Sequence, residues 1–229
     1  SDRPRRTPTT TFIVDEPSTR DTIEWSDSRR PLDTNRFDIL WERLGDWLVE
    51  RDQFVSHLHA GADPEHYLPI RLTTELAWQG LYGRSLLICP PRFNPADKQI
   101  WQVLFAPGFS CSPELDGTAD PAAVIINFAR RRILLAGNTQ TSDLRGALFM
   151  VLSLLLPEKD VLPMRCAATA GEDGRTGLIF GRPGSGKTTL AIDASRYLVG
   201  DDAHAWTRNG VFNLEGGCQT GCADLNPSD

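Results

Sequence analysis

The sequence predicts an α/β fold in two parts: a mixed-sheet N-terminal domain over residues 1–160 and a phosphate-loop nucleotide-binding domain over residues 161–229. Three observations carry this. Gly181-Arg182-Pro183-Gly184-Ser185-Gly186-Lys187-Thr188 matches the pattern G-x-x-x-x-G-K-[ST] at every fixed position. An apolar strand, Thr176–Phe180, enters this loop, and a helix opening at Thr189 leaves it. Before residue 160, alternating strand patterns are interleaved with helical spacing, and 40% hydrophobic residues in 229 are enough for a sizeable core.

In chain order, Thr11–Asp15 reads as a strand that enters a turn at Glu16-Pro17-Ser18, followed by a charged, Trp-bearing connection. Asn35–Val49 is an amphipathic helix, with Phe37, Leu40, Trp41, Leu44, Trp47 and Leu48 on one face. Phe54–His59 alternates like a strand and closes at Gly61-Ala62-Asp63-Pro64. Ile70–Leu72 is a strand. Thr74 is placed to cap a helix carrying Glu75 in its first turn and Leu76, Ala77, Trp78 and Leu81 on its apolar face. Ser85–Cys89 reads as a further strand and Gly108–Pro121 as exposed turns. Val124–Phe128 and Ile133–Ala136 pair around Ala129–Arg132. Leu144–Leu156 is a buried helix that ends at Pro157, and Pro157–Asp160 marks the boundary between the parts. Tyr197–Gly200 is an apolar strand that delivers Asp201 and Asp202.

Composition narrows the functional classes. A net charge of −6 gives no basic footprint for nucleic acid. The longest apolar run, Leu144–Leu156, contains Arg145 and is too short to span a membrane. Five scattered cysteines point to a reducing, cytoplasmic setting. His57-x-His59 and Cys218-x-x-x-Cys222 lack further ligands at usable spacing, so simple core and thiol roles are favoured over metal.

The phosphate loop carries the chemistry. Gly181, Gly184 and Gly186 let the backbone curl until successive N–H groups converge on phosphate oxygens, with Ser185 and Thr189 completing the cradle. Lys187 reaches the β- and γ-phosphates, and the Thr188 hydroxyl sits on Mg²⁺. Asp201 and Asp202, at a strand end, are the acidic groups that hold Mg²⁺ directly or through water. A nucleotide phosphate site with Mg²⁺ is therefore expected.

Beyond the loop, FIVDEPS (12–18), AGADP (60–64), ELAW (75–78), ELDGT (114–118), PMRCAA (163–168), GRPGSGKTTL (181–190), GDDAHAW (200–206) and GVFNLEGGC (210–218) occur in series. In this order they resemble the ATP-type phosphoenolpyruvate carboxykinases, over nearly the whole chain. The resemblance implies a carboxykinase-like fold and the conversion of oxaloacetate and ATP to phosphoenolpyruvate and CO₂. It also implies Mg²⁺ on the nucleotide and Mn²⁺ at the substrate. Arg6 keeps the position of the family's substrate-gripping arginine, and Lys187, Thr188, Asp201 and Asp202 keep theirs.

Other positions depart from the pattern. Arg165 stands where the resemblance implies a histidine ligand to Mn²⁺, and Gly146 where it implies a lysine ligand. Gln140 replaces a substrate-side tyrosine, and Gly221 replaces a further lysine. A guanidinium has no lone pair for a metal, but it neutralises an anionic substrate or a transferring phosphoryl group. The family also continues well beyond this length, so the nucleotide domain is incomplete here: the chain is expected to be either a fragment or a miniature form whose nucleotide site is completed by a second copy or a partner. Three readings follow. The first is an ATP-dependent phosphotransferase acting on a small anionic or hydroxylated acceptor, with Lys187, Asp202, Arg6 and Arg165 as catalytic residues. The second is a working carboxykinase with altered metal ligation, and the third a non-catalytic nucleotide-binding homologue. Arg6 and Arg165 are expected to form an anion-binding pair.

Overall fold

The computed structural model describes residues 10–94, 100–137, 140–182, 184–192 and 195–218. Its first part consists of β1 (Thr11–Val14), β2 (Arg29–Leu32), α1 (Thr34–Val49), β3 (Phe54–Ala60), β4 (Leu68–Thr74), α2 (Ala77–Leu86), β5 (Trp101–Ala106), α3 (Pro113–Asp116), β6 (Ala123–Asn127), β7 (Arg132–Ala136) and α4 (Thr141–Leu155). The strands form one mixed sheet in the order β2-β1-β6-β7-β5-β4-β3. Only β3–β4 and β6–β7 pair antiparallel; the other four pairings are parallel.

Both faces of this sheet are covered, and the strand sequences show why. Successive side chains alternate between faces. Val124, Ile126, Ile133 and Leu135 join the α2/α4 side, whereas Ile125, Leu134 and Ala136 join the α1 side. A strand buried on both faces needs an unbroken apolar run, which β6 and β7 supply. Phe37, Leu40, Trp41, Leu44 and Leu48 form the buried stripe of α1. The helix starts because the Asp33 carboxylate accepts hydrogen bonds from the Asn35 and Arg36 amides at 3.0 and 3.1 Å.

Several expectations fail locally. Thr74 does not cap a helix: it ends β4, and its hydroxyl donates to the Leu76 carbonyl at 3.1 Å. The start of α2 is satisfied instead by Gln79, whose Oε1 accepts from the Leu76 amide at 3.2 Å. Glu75 precedes α2 and accepts from Trp47 Nε1 and the Gly108 amide. The buried face of α2 is Gln79, Gly80, Gly83 and Leu86, while Trp78 and Leu81 are exposed. Glycines let this helix lie close to β3 and β4; a Cβ on Gly83 would come within 2.3 Å of Leu72. Ser85–Cys89 is not a strand, because α2 runs through Leu86 and only Ile88 bridges to His59. The 108–121 stretch is not simply exposed. Phe109, Cys111, Asp116 and Thr118 are buried, and Asp116 pairs with Arg43 on α1. His57 and His59 stack on Phe93 and Tyr67, at 4.6 and 4.2 Å between ring centroids.

After a short 3-10 turn (Pro157–Lys159), the second part is β8 (Leu162–Arg165), β9 (Ala167–Ala170), β10 (Thr176–Ile179), α5 (Lys187–Ala191), β11 (Tyr197–Gly200), β12 (Ala203–Thr207) and β13 (Gly210–Asn213). It forms two three-stranded sheets, β10-β9-β11 and β13-β12-β8. Residues on both sides of position 160 share one apolar cluster, in which Leu58, Leu148 and Val151 meet Ala203, Ala205 and Leu214. The Gly61 and Ala62 amides donate to the Leu214 and Asn213 carbonyls at 2.9 Å. Among the described residues, no helix is long and apolar enough to cross a membrane.

Candidate active site

Topology gathers the candidate residues at one end of the second part. β10 and β11 both pair antiparallel with β9, so their carboxyl ends lie side by side. The phosphate loop follows β10, and Asp201 and Asp202 follow β11. β9 starts at that same end, with Ala167 opposite Ile179 and Ala168 opposite Gly200, so Arg165 just before it is brought there too.

In the loop, Gly184 and Gly186 have φ values of 76° and 85°, the left-handed region that glycine enters without a Cβ penalty. The Ser185 amide donates to the Arg182 carbonyl at 3.1 Å and closes the curl. Lys187 Nζ donates to the Gly181 and Arg182 carbonyls at 2.8 and 3.1 Å. The lysine is thus folded back on its own loop, and among the described residues it forms no ion pair. Thr188 lies in the first turn of α5, and Ser185 and Thr189 are exposed. The helix is only five residues long, so the loop amides, rather than a helix dipole, are the main anion-facing feature.

The acidic side is denser than the sequence suggests. Arg165, expected in the cleft as an anion binder, donates from Nη1 to Asp202 Oδ2 at 3.0 Å. Its guanidinium also lies over the Phe149 ring, 4.6 Å from the centroid. Asp202 is shared: Arg145 Nη2 lies 3.4 Å from the same oxygen. Arg145 is held by Glu215 through two parallel N–H···O bonds and lies 3.8 Å from Asp201 Oδ1. Burial works most strongly against the Arg145 charge, but the Glu215 hydrogen bonds together with the negative charges of Glu215, Asp202 and Asp201 outweigh it and hold the guanidinium protonated. Burial raises the Glu215 carboxyl, and Arg145 only partly offsets this. Asp201 is 7% exposed, and its Oδ1 has no hydrogen-bond partner. Beneath lies His204, fully buried; its Nδ1 is 2.9 Å from the Cys166 carbonyl, and burial depresses its basicity.

Arg145 and Glu215 are functional-site candidates that the sequence reading passed over. The available signal was a single charge inside the otherwise apolar Leu144–Leu156, since a buried arginine is nearly always paired. Arg6, Gly221 and Cys222 lie outside the described residues.

The two implied cations fare differently. A cation carried by the nucleotide fits: Asp201 offers a buried oxygen without a hydrogen-bond partner beside the phosphate loop. A second cation at the substrate does not fit. Arg165 offers no lone pair, Gly146 offers no side chain, and Asp202 is already contacted by two guanidiniums.

Comparison with known proteins agrees with this architecture. The family model described as phosphoenolpyruvate carboxykinase matches residues 1–229. A phosphoenolpyruvate carboxykinase (ATP) 2 of Moorella thermoacetica is 42% identical over 222 residues, covering 96% of this chain and 42% of that protein. A phosphoenolpyruvate carboxykinase (ATP) of Geobacillus kaustophilus is 41% identical over 223 residues, with the same coverage of each chain. A phosphoenolpyruvate carboxykinase (ATP) 1 of Salinibacter ruber is 42% identical over 227 residues, 97% of this chain and 42% of that relative. The chain therefore spans well under half the length of the curated relatives it matches. Covered from end to end by the family model, it belongs to the phosphoenolpyruvate carboxykinase family.

Proposed function

We propose that this chain is the phosphate-loop part of an ATP-dependent phosphotransferase that has diverged from carboxykinase chemistry and acts on a small anionic or hydroxylated acceptor. One observation carries the reading: Asp202 is contacted by Arg165 at 3.0 Å and Arg145 at 3.4 Å, where the family resemblance implies a metal. Fixed guanidiniums stabilise a transferring phosphoryl group without a second metal. In the proposed reaction an acceptor hydroxyl oxygen bonds to the γ-phosphorus. The bond to the bridging oxygen breaks, ADP leaves with its electron pair, and the hydroxyl proton is released. Lys187 would bind the nucleotide phosphates, Thr188 with Asp201 would hold nucleotide-bound Mg²⁺, and Arg6 and Arg165 are assigned to the acceptor. Asp202, expected from the sequence as a further Mg²⁺ ligand, is left to the two arginines in this reading.

The reading includes further protein against the nucleotide site, supplied by more of the same chain, a second copy or a partner. Phe180, Leu190, Ile192 and Tyr197, around the phosphate loop and β11, are each more than 60% exposed. A reducing, cytoplasmic setting is part of the same proposal, supported by Cys89, Cys111, Cys166 and Cys218 all being free thiols.

A second reading, carboxykinase activity with altered ligation, is favoured by the names of relatives about 42% identical to this chain. The discriminating experiment supplies ATP and Mg²⁺ with a panel of acceptors and follows phosphate transfer by mass spectrometry. In parallel, oxaloacetate, ATP and Mn²⁺ are assayed for phosphoenolpyruvate. Transfer without phosphoenolpyruvate formation supports the first reading, robust phosphoenolpyruvate formation the second. Nucleotide binding with neither leaves a non-catalytic homologue.

A further inference from the structure

A cavity of about 420 Å³ lies between α4 and the edge of the large sheet formed by β2, β1 and β6, within the size range of small-molecule sites. Its charged lining is Arg29, Asp143 and Arg165, and Val124 and Met150 give it an apolar wall. We propose that this cavity binds a small hydroxy acid, its carboxylate held by Arg29 and Arg165 and its hydroxyl by Asp143.

Each group is prepared for such a ligand. Among the described residues, the carboxylate paired with Arg29 is Glu24, at 3.7 Å and 88% exposed, a contact that water readily replaces. Arg165 gives one N–H to Asp202, and its plane is fixed against Phe149, which leaves donors to spare. Asp143 has a buried Oδ2 without a hydrogen-bond partner. An unpaired buried polar atom is costly, so a hydroxyl donor at this carboxylate is favoured.

Gly146 accounts for the room. It sits on the cavity wall within α4, and a Cβ there meets nothing within 4 Å. The helix accepts the glycine at some loss of propensity, and the cavity gains the volume a side chain would fill. Charge selects the class. Two guanidiniums and one carboxylate line the cavity itself, and because Arg165 also contacts Asp202 the lining suits no more than a monoanion, here one carrying a hydroxyl. A phosphate dianion would place excess negative charge against Asp143.

The inference rests on the phosphotransferase reading only in making the bound hydroxyl the acceptor; binding is measurable without nucleotide. The test titrates the full chain with glycolate, lactate and glycerate, against acetate, propionate and inorganic phosphate, by calorimetry. Hydroxy acids are expected to bind at least about tenfold more tightly than their deoxy counterparts. Arg29→Gln is expected to weaken binding by about ten- to a hundredfold, the loss of a charged hydrogen bond. Asp143→Asn should erase most of the preference for the hydroxyl. Gly146→Leu should abolish binding while melting no lower than the parent, which separates a filled cavity from a misfolded protein. Absence of saturable binding by any of the three hydroxy acids overturns the proposal, as does unchanged binding in Gly146→Leu. Tighter binding of phosphate than of hydroxy acids, lost in Arg29→Gln, overturns the ligand class. Hydroxy acid binding by a protein that transfers no phosphate supports the pocket and counts only against the phosphotransferase reading.

Discussion

Replacing Arg145 with Met isolates the central ion-pair cluster. The methionine keeps much of the apolar stem but removes the charge that Glu215 accepts through two hydrogen bonds. Glu215 has a side chain only 7% exposed, so in the variant it is left charged and unpaired in the interior. Breaking a buried pair from one side costs about 3–5 kcal/mol, far above the value of a surface pair. For a chain of this size that is a fall in Tm on the order of 10 °C. The penalty carries a pH signature. Burial already holds Glu215 above its ordinary value near 4.5, and Arg145 is what pulls it down. Without Arg145 the folded-state value rises further. A carboxyl raised on folding lowers stability as pH climbs from the unfolded value through the folded one. Arg145→Met is therefore expected to be milder at pH 5 than at pH 8, and Glu215→Gln on that background to recover part of the loss. Urea unfolding across this range is the assay. A loss below about 1 kcal/mol at pH 8, the scale of an exposed pair, or one independent of pH, would refute the buried-pair argument.

Three further outcomes are expected. Lys187→Ala should lose most of the Tm increase that ATP with Mg²⁺ gives the parent, because it deletes the charge facing the phosphates; an undiminished shift places the nucleotide elsewhere. Asp143 is pushed up to about 6 by burial from an ordinary 3.8, so parent stability should fall as pH rises across that interval. Asp143→Asn should flatten the fall and be more stable at pH 7 by about 1 kcal/mol after allowance for solvent screening; parallel pH–stability curves would contradict this. Gly137 has φ 61° and a Cβ there would lie 2.9 Å from the Pro121 carbonyl oxygen. Gly137→Ala should therefore cost about 2 kcal/mol in urea, and a neutral result would mean that the turn relaxes.

Elements whose own residues set their periodicity were legible: α1 from its stripe of six apolar residues, and β6 and β7 from unbroken aliphatic runs. The phosphate loop was legible because its glycines are required by local backbone geometry alone. What escaped was decided by distant partners. α2 turns glycines, not Trp78 and Leu81, toward the sheet, since close approach to Leu72 outweighs side-chain hydrophobicity there. β2, β8, β12 and β13 are four or five residues long, and the pairing partners rather than intrinsic pattern fix them. Glu215 and Arg145 are 70 residues apart, and nothing local to either announces the other.

The same cluster bears on how many cations the site can use. Asp201, Asp202 and Glu215 face Arg145 and Arg165, so three carboxylates meet two guanidiniums and one negative charge is left over. The deficit is localised: Glu215 has two hydrogen bonds from Arg145 and Asp202 has contacts from both arginines, whereas Asp201 Oδ1 has only a 3.8 Å contact and no hydrogen bond. A site arranged this way favours one cation at Asp201, beside the phosphate loop, and resists another at Asp202. In the phosphotransferase reading that single cation arrives with the nucleotide, while Arg165 and Arg145 take over the charge work at the acceptor. Arg165→His then becomes informative from a direction opposite to loss of function. It removes one guanidinium from Asp202, returns a nitrogen lone pair, and should raise Mn²⁺ affinity measurably by calorimetry. Arg165→Gln, which removes the same charge without a ligand of comparable strength, should raise it far less. Equal gains in both variants would mean that charge removal alone controls the cation, and that the arginine stands in for no ligand.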